Sequence, residues 1–174
     1  DSLVYQDSDS LFLLLDDPVV WSDSSQITGD TIKIYLANDD LDKMEVYPKA
    51  FMTNTADLIY YNQISGKRII TSFEDGKLKT MDVIGNARSL YYMLDEFKAY
   101  IGVNSTECSS IRFTFSENDI KSIKFFTSPR SQILPMRGTN HEDINLDGFN
   151  WRFSERPMTL ADLQSSLTRD PKLQ

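Results

Sequence analysis

One pattern of apolar residues occurs three times along the chain, and few architectures accommodate that. Ile32, Leu36, Leu41, Met44 and Val46 stand in the order and spacing of Ile69, Phe73, Leu78, Met81 and Val83, each pair 37 residues apart. Ile111, Phe115, Ile120, Ile123 and Phe125 repeat the pattern, each 42 residues beyond its middle counterpart. In every copy a polar turn divides two runs of alternating character: Ala37-Asn38-Asp39-Asp40, Glu74-Asp75-Gly76-Lys77 and Ser116-Glu117-Asn118-Asp119. A polar turn between two period-2 runs predicts a β-hairpin. Recurrence of the whole unit predicts stacking, because one such unit cannot bury its apolar face alone. The expectation is an all-β chain of stacked antiparallel hairpins.

The segments between these hairpins follow suit. Gly85-Asn86 is expected to turn the chain a second time. Short strands are expected at Phe51–Asn54 and Leu58–Tyr61, and again at Tyr91–Leu94 and Ala99–Ile101, so that each long hairpin is followed by a short one. Near the N-terminus, Leu3 and Tyr5 alternate with Val4, and Leu11–Leu15 returns after a turn at Asp7–Ser10. After Leu134-Pro135 the character changes. Asp143 to Phe153 is rich in Asn, Asp and aromatics, and Leu160, Leu163 and Leu167 beyond Thr159 have helical spacing, which predicts a short helix. The division expected is a repeat domain over residues 1–135 and a capping tail over residues 136–174, packed on one end of the stack.

Composition narrows the function classes. The 174 residues are 40 % apolar and 25 % charged, ordinary for a soluble globular domain. A net charge of −8 does not supply the clustered Lys and Arg that displace counterions from nucleic acid, nor those that dock on an anionic membrane face. The longest apolar run, Leu11 to Leu15, is far short of the roughly 18 residues that span a bilayer. The first residue is Asp and no leader pattern precedes it, which points to a trimmed N-terminus and leaves the compartment open. Cys108 is the only cysteine, so no internal disulfide forms, and its strand-like context predicts a half-buried thiol.

Catalytic signals are weak. His141, the only histidine, lies in a polar segment beside Glu142 without a positioned partner, and neither Cys108 nor any serine sits in a nucleophile elbow. No catalytic residue and no cofactor are expected. Asp143, Asn145, Asp147 and Gly148 match the first half of a calcium loop, but position 12 is Ser154 where a bidentate Glu is needed. An Asx-rich turn accounts for the same residues. Asn104-Ser105-Thr106 has the form of a glycosylation acceptor, a tripeptide common by chance.

The apolar face is the remaining candidate. Ile32, Ile34, Leu36, Ile69, Phe73, Ile111, Phe113 and Phe115 should stack along one interior surface, joined by Val46 and Val83, with Met44, Met81 and Ile123 opposite. Such residues either pack on one another or line a groove for an acyl chain, depending on whether the stack is closed or gutter-like.

Several motifs carry a family resemblance. Gly29-Asp30-Thr31-Ile32, Met44-Glu45-Val46, Gly66-Lys67-Arg68-Ile69, Met81-Asp82-Val83 and Gly85-Asn86-Ala87 resemble the repeat of the LptA/OstA-like proteins of lipopolysaccharide export, and Asp17-Pro18-Val19-Val20-Trp21 resembles its head. The resemblance covers roughly Asp1 to Pro135. It implies a β-jellyroll, or β-taco, in the periplasm, with or without association with the outer membrane. It further implies a non-enzymatic bridge that holds the lipid A acyl chains of lipopolysaccharide in its groove. It implies assembly with other bridge proteins, or with itself, by edge-strand addition. The tail from Met136 is outside this pattern. Two other readings stay open: a structural β-repeat module that binds proteins through its edges, and a carbohydrate-active β-helix enzyme.

Overall fold

The computed structural model describes residues 2–6, 10–117 and 119–159. Thirteen strands form one antiparallel sheet: β1 (Ser2–Gln6), β2 (Leu11–Leu15), β3 (Val19–Ser22), β4 (Ser25–Thr28), β5 (Thr31–Ala37), β6 (Asp40–Tyr47), β7 (Ala50–Asn54), β8 (Asn62–Gly66), β9 (Arg68–Glu74), β10 (Lys77–Leu94), β11 (Tyr100–Ser116), β12 (Asp119–Phe126) and β13 (Arg130–Leu134). The three repeats are the hairpins β5–β6, β9–β10 and β11–β12. Asn38-Asp39 and Asp75-Gly76 take positive φ at both central turn residues, which matches the twist of the flanking strands.

The sheet is creased into two walls. The first runs β1-β2-β5-β6-β9, then the N-terminal half of β10, the C-terminal half of β11, and β12. The second runs β3-β4-β7-β8, the other halves of β10 and β11, and β13. β10 and β11 therefore belong to both walls. The second turn expected at Gly85-Asn86 is instead a bulge inside β10, with both residues at positive φ. It bends the strand across the crease without reversing it. The short strands expected at 91–94 and 99–101 are accordingly the ends of these two long strands. The strand expected at Leu58–Tyr61 is a loop, and the pairing segment lies later, at Asn62–Gly66. Here Asp57 competes for the backbone: its Oδ1 accepts the N–H groups of Ile59 and Tyr60, so a turn forms in place of a ladder.

The crease is tight. A methyl group on Gly29 would lie 2.5 Å from Val46 Cγ1, and one on Gly66 would lie 2.7 Å from Val83 Cγ1. The equivalent bonds Asp30 N–H to Pro48 O and Lys67 N–H to Gly85 O carry the ladder through the bend.

The described part of the segment after Leu134, residues 135–159, packs not on an end of the stack but as a strap across the outer face of the second wall, from β13 back to β3. Leu146 is buried on that face among Phe51, Leu90, Tyr92 and Val103. Further along, Trp151 and Phe153 pack edge-on against Trp21 of β3. The described part of the strap holds one 3-10 turn, Phe153–Glu155. The helix expected around Leu160–Leu167 lies outside the described residues.

Candidate functional site: the apolar faces between two walls

The alternation of each strand sends one set of side chains into the space between the walls. On the first wall these form rows across the sheet. Leu14, Ile32, Val46, Ile69, Val83, Ile111 and Phe125 are successive cross-strand partners. A second row, one step further from the crease, holds Phe12, Ile34, Met44, Thr71, Met81, Phe113 and Ile123. Leu36, Phe73 and Phe115 stand outermost, beside the turns. Met44, Met81 and Ile123, expected opposite the aliphatic stack, thus lie within it: Met44 pairs with Ile34, and Ile123 with Phe113.

Along the central strands exposure rises from the crease to the mouth, while Phe125, in the crease row but on the edge strand β12, is 37 % exposed. Ile32, Val46 and Val83 are 0 % exposed, and Ile69, Ile111, Met81, Met44 and Phe113 are also buried. Ile34, Leu36, Phe73 and Phe115 are half-buried, and Ile123 on the edge strand β12 is 39 % exposed. The thirteen residues expected to line a groove therefore divide into a dry floor and an accessible upper wall.

The opposite wall was not legible from the repeats. Val20, Ile27, Met52 and Ile64 form one inward row, and Ala50, Ala87 and Cys108 pack nearer the crease. Its strands outside β10 and β11 are four or five residues long, too short for alternation to stand out. Toward β13 the row turns polar through Ser89, Thr106 and Ser131. The Thr106 and Ser131 hydroxyls are 2.7 Å apart, and Thr106 also donates to Asn104 Oδ1. Asn104, the acceptor residue of the N-x-T tripeptide, is thus tied into the inner face of the sheet. Burial raises the Cys108 thiol above its ordinary value, although bonds with the Phe126 and Ser110 backbone oppose the shift.

The residues weighed for metal or catalysis hold the strap. Asn140 Nδ2 donates to Asp143 Oδ2, Gln63 Nε2 donates to Asn145 Oδ1, and Asp147 pairs with Arg88. The three side chains of the calcium-like motif therefore turn to three different partners. His141 Nε2 donates to the Met136 carbonyl, its Nδ1 faces the Tyr92 hydroxyl at 3.2 Å, and its ring packs against Tyr60. No helix among the described residues is long and apolar enough to cross a membrane.

No protein-family model and no curated protein match the chain. A search of solved structures finds LptH of Pseudomonas aeruginosa, described as the LptA-homologous periplasmic component of the conserved lipopolysaccharide transport device. The TM-score is 0.56 at 15 % identity, over 77 % of this chain and 90 % of that one. The creased antiparallel sheet described above is an LptA-like fold, shared with that transport component.

Proposed function

We propose that the chain is a non-enzymatic, periplasmic lipid-binding module of lipopolysaccharide transport to the outer membrane, with the acyl chains of lipid A held between the two walls. The observation that carries this reading is the graded first wall. A dry floor fixes the crease, while Ile34, Leu36, Phe73, Phe115 and Ile123 offer apolar surface toward the mouth. Burying even part of an acyl chain there yields several kcal/mol at roughly 25 cal/mol per Å². The fold shared with LptH supports the same reading.

A second reading is a structural β-repeat module that binds proteins through sheet edges and takes no lipid. It is favoured by the edges themselves: among the described residues, β1, β3, β12 and β13 each pair on one side only. Edge-strand addition, by a second copy or by other bridge proteins, is compatible with both readings. Every described strand lies within residues 1–135, which we read as the repeat domain, with residues 136–174 as a tail whose described part straps the second wall.

Photo-crosslinking to lipopolysaccharide separates the two. A photoreactive residue at Phe73, Phe115 or Ile123 is expected to capture the lipid, and one at Lys33 on the outer face is not. Folded protein that captures nothing at the first three positions would favour the edge-binding module.

A further inference from the structure

The far end of the second wall carries two neighbouring loops, residues 55–61 between β7 and β8 and residues 95–99 between β10 and β11, built on one plan. Each is closed by an aspartate. Asp57 Oδ1 accepts the N–H groups of Ile59 and Tyr60 at 2.9 and 3.0 Å, and Asp95 Oδ1 accepts those of Phe97 and Ala99 at 2.9 and 2.8 Å. The Leu58 N–H donates to Thr55 Oγ1, and the Lys98 N–H donates to the Asp95 carbonyl. The Tyr100 hydroxyl donates to Asp57 Oδ2 at 2.7 Å and joins the two loops. At the tips stand Phe97, 81 % exposed, Ile59, 68 %, and Leu58, 54 %.

Two features set these tips apart from scattered surface apolar groups. First, six consecutive-in-loop N–H groups, from Leu58 to Tyr60 and from Phe97 to Ala99, have partners inside the protein. Backbone can leave water for lipid only when its polar groups are satisfied internally. Second, Leu58 is held at φ +61, a conformation unfavourable for a bulky side chain that persists because the Thr55 and Asp57 bonds dictate it. The charge balance then selects the surface. Asp57 and Asp95 turn their carboxylates back into the loops, which leaves Glu96 and Lys98, of opposite sign, at the second tip. A tip with no cluster of Lys or Arg has no preference for anionic headgroups.

We propose that these two loops form a shallow insertion tip that seats the module on a neutral, zwitterionic lipid surface. Leu58, Ile59 and Phe97 enter the interface, and the two aspartates remain at its margin. This docking is separate from lipid held at the first-wall residues Ile34, Leu36, Phe73, Phe115 and Ile123.

The test is co-sedimentation of the whole chain with sucrose-loaded phosphatidylcholine vesicles. Wild type is expected to partition onto them, with little dependence on salt. Ile59→Asp combined with Phe97→Asp should lower partitioning by at least about tenfold, since each apolar side chain is worth that order. Ile59→Ser with Phe97→Ser repeats the measurement at gentler chemistry, and circular dichroism establishes that each variant is folded. Lys33→Ser should change nothing. Wild type that ignores phosphatidylcholine, that binds only when anionic lipid is added, or that binds equally well with both tips altered would overturn the proposal. So would a tip-dependent dimer in the absence of vesicles, which would make the patch a protein interface.

Discussion

Gln26 and Gln63 stand 37 residues apart, at the same place in successive repeats, and both grip the strap. Gln26 donates to the Asn150 carbonyl and accepts the Arg152 N–H, each at 2.7 Å. Gln63 accepts the Leu146 N–H at 2.9 Å and donates to Asn145 Oδ1. Both side chains are almost fully buried, so each replaces water for a strap that would otherwise bury unpaired backbone. Gln63→Ala orphans the Leu146 amide and should cost about 1–3 kcal/mol in urea denaturation. Hydrogen exchange at the Leu146 amide should accelerate with it. Unchanged exchange would mean that the strap is held by its apolar contacts alone.

The crease depends on two equivalent glycines. A methyl on Gly66 meets Val83 Cγ1 at 2.7 Å and the Ile84 carbonyl at 3.3 Å, and one on Gly29 meets Val46 Cγ1 at 2.5 Å. Both valines are fully buried in the floor, so the contact is relieved only by moving the wall. Gly66→Ala and Gly29→Ala should each destabilise by about 1–3 kcal/mol, as overpacking does. Gly76→Ala tests a different cause, since nothing lies near its Cβ and its cost comes from a φ of +71 alone. A normal unfolding midpoint for Gly66→Ala would mean the crease has slack.

Acid should loosen the outer face of the first wall. Burial alone would raise the Glu45 carboxyl, but Lys43 and Arg68 bond to it and outweigh burial, so it sits below the usual 4.5. A depressed folded-state value contributes stability that is present above the unfolded value and is lost as pH falls through the folded one. Glu45→Gln should therefore cost at most about 1 kcal/mol at neutral pH, given the exposure of both cations. The gap from wild type should close as pH drops below the glutamate range. Denaturation midpoints compared at pH 7 and pH 3 read this out, and a gap that survives at pH 3 would mean that Glu45 acts through packing.

How much of this was legible in the sequence depends on segment length. The three long hairpins, their turns and the rows running from Ile32 to Phe125 follow from spacing alone, because each strand has at least seven residues over which alternation can register. The second wall hid behind strands of four and five. Gly85-Asn86 has the composition of a turn, and only pairing on both sides of it makes it a bulge. The strap was hidden for another reason: its Asn and Asp residues satisfy a calcium motif and a turn equally well until Gln63 and Arg88 claim them. The offset of 37 that relates Gln26 to Gln63 was the available signal for the strap's docking line.

Stability and ligand capture should separate along the first wall. Ile69 is 1 % exposed on the floor, and Ile69→Ala removes buried volume that the crease cannot refill, at about 2–5 kcal/mol. Phe73 and Phe115 are half-buried near the mouth, where solvent already reaches part of each ring, so alanine there should cost less than half as much as at Ile69. If acyl chains occupy the upper wall, the order reverses for lipid. Phe73→Ala with Phe115→Ala should abolish most lipopolysaccharide crosslinking at Ile123, while Ile69→Ala, assayed below its unfolding midpoint, should retain it. Equal loss of crosslinking from floor and mouth would mean that the walls part completely on binding, and that the dry floor of the free protein becomes part of the ligand surface.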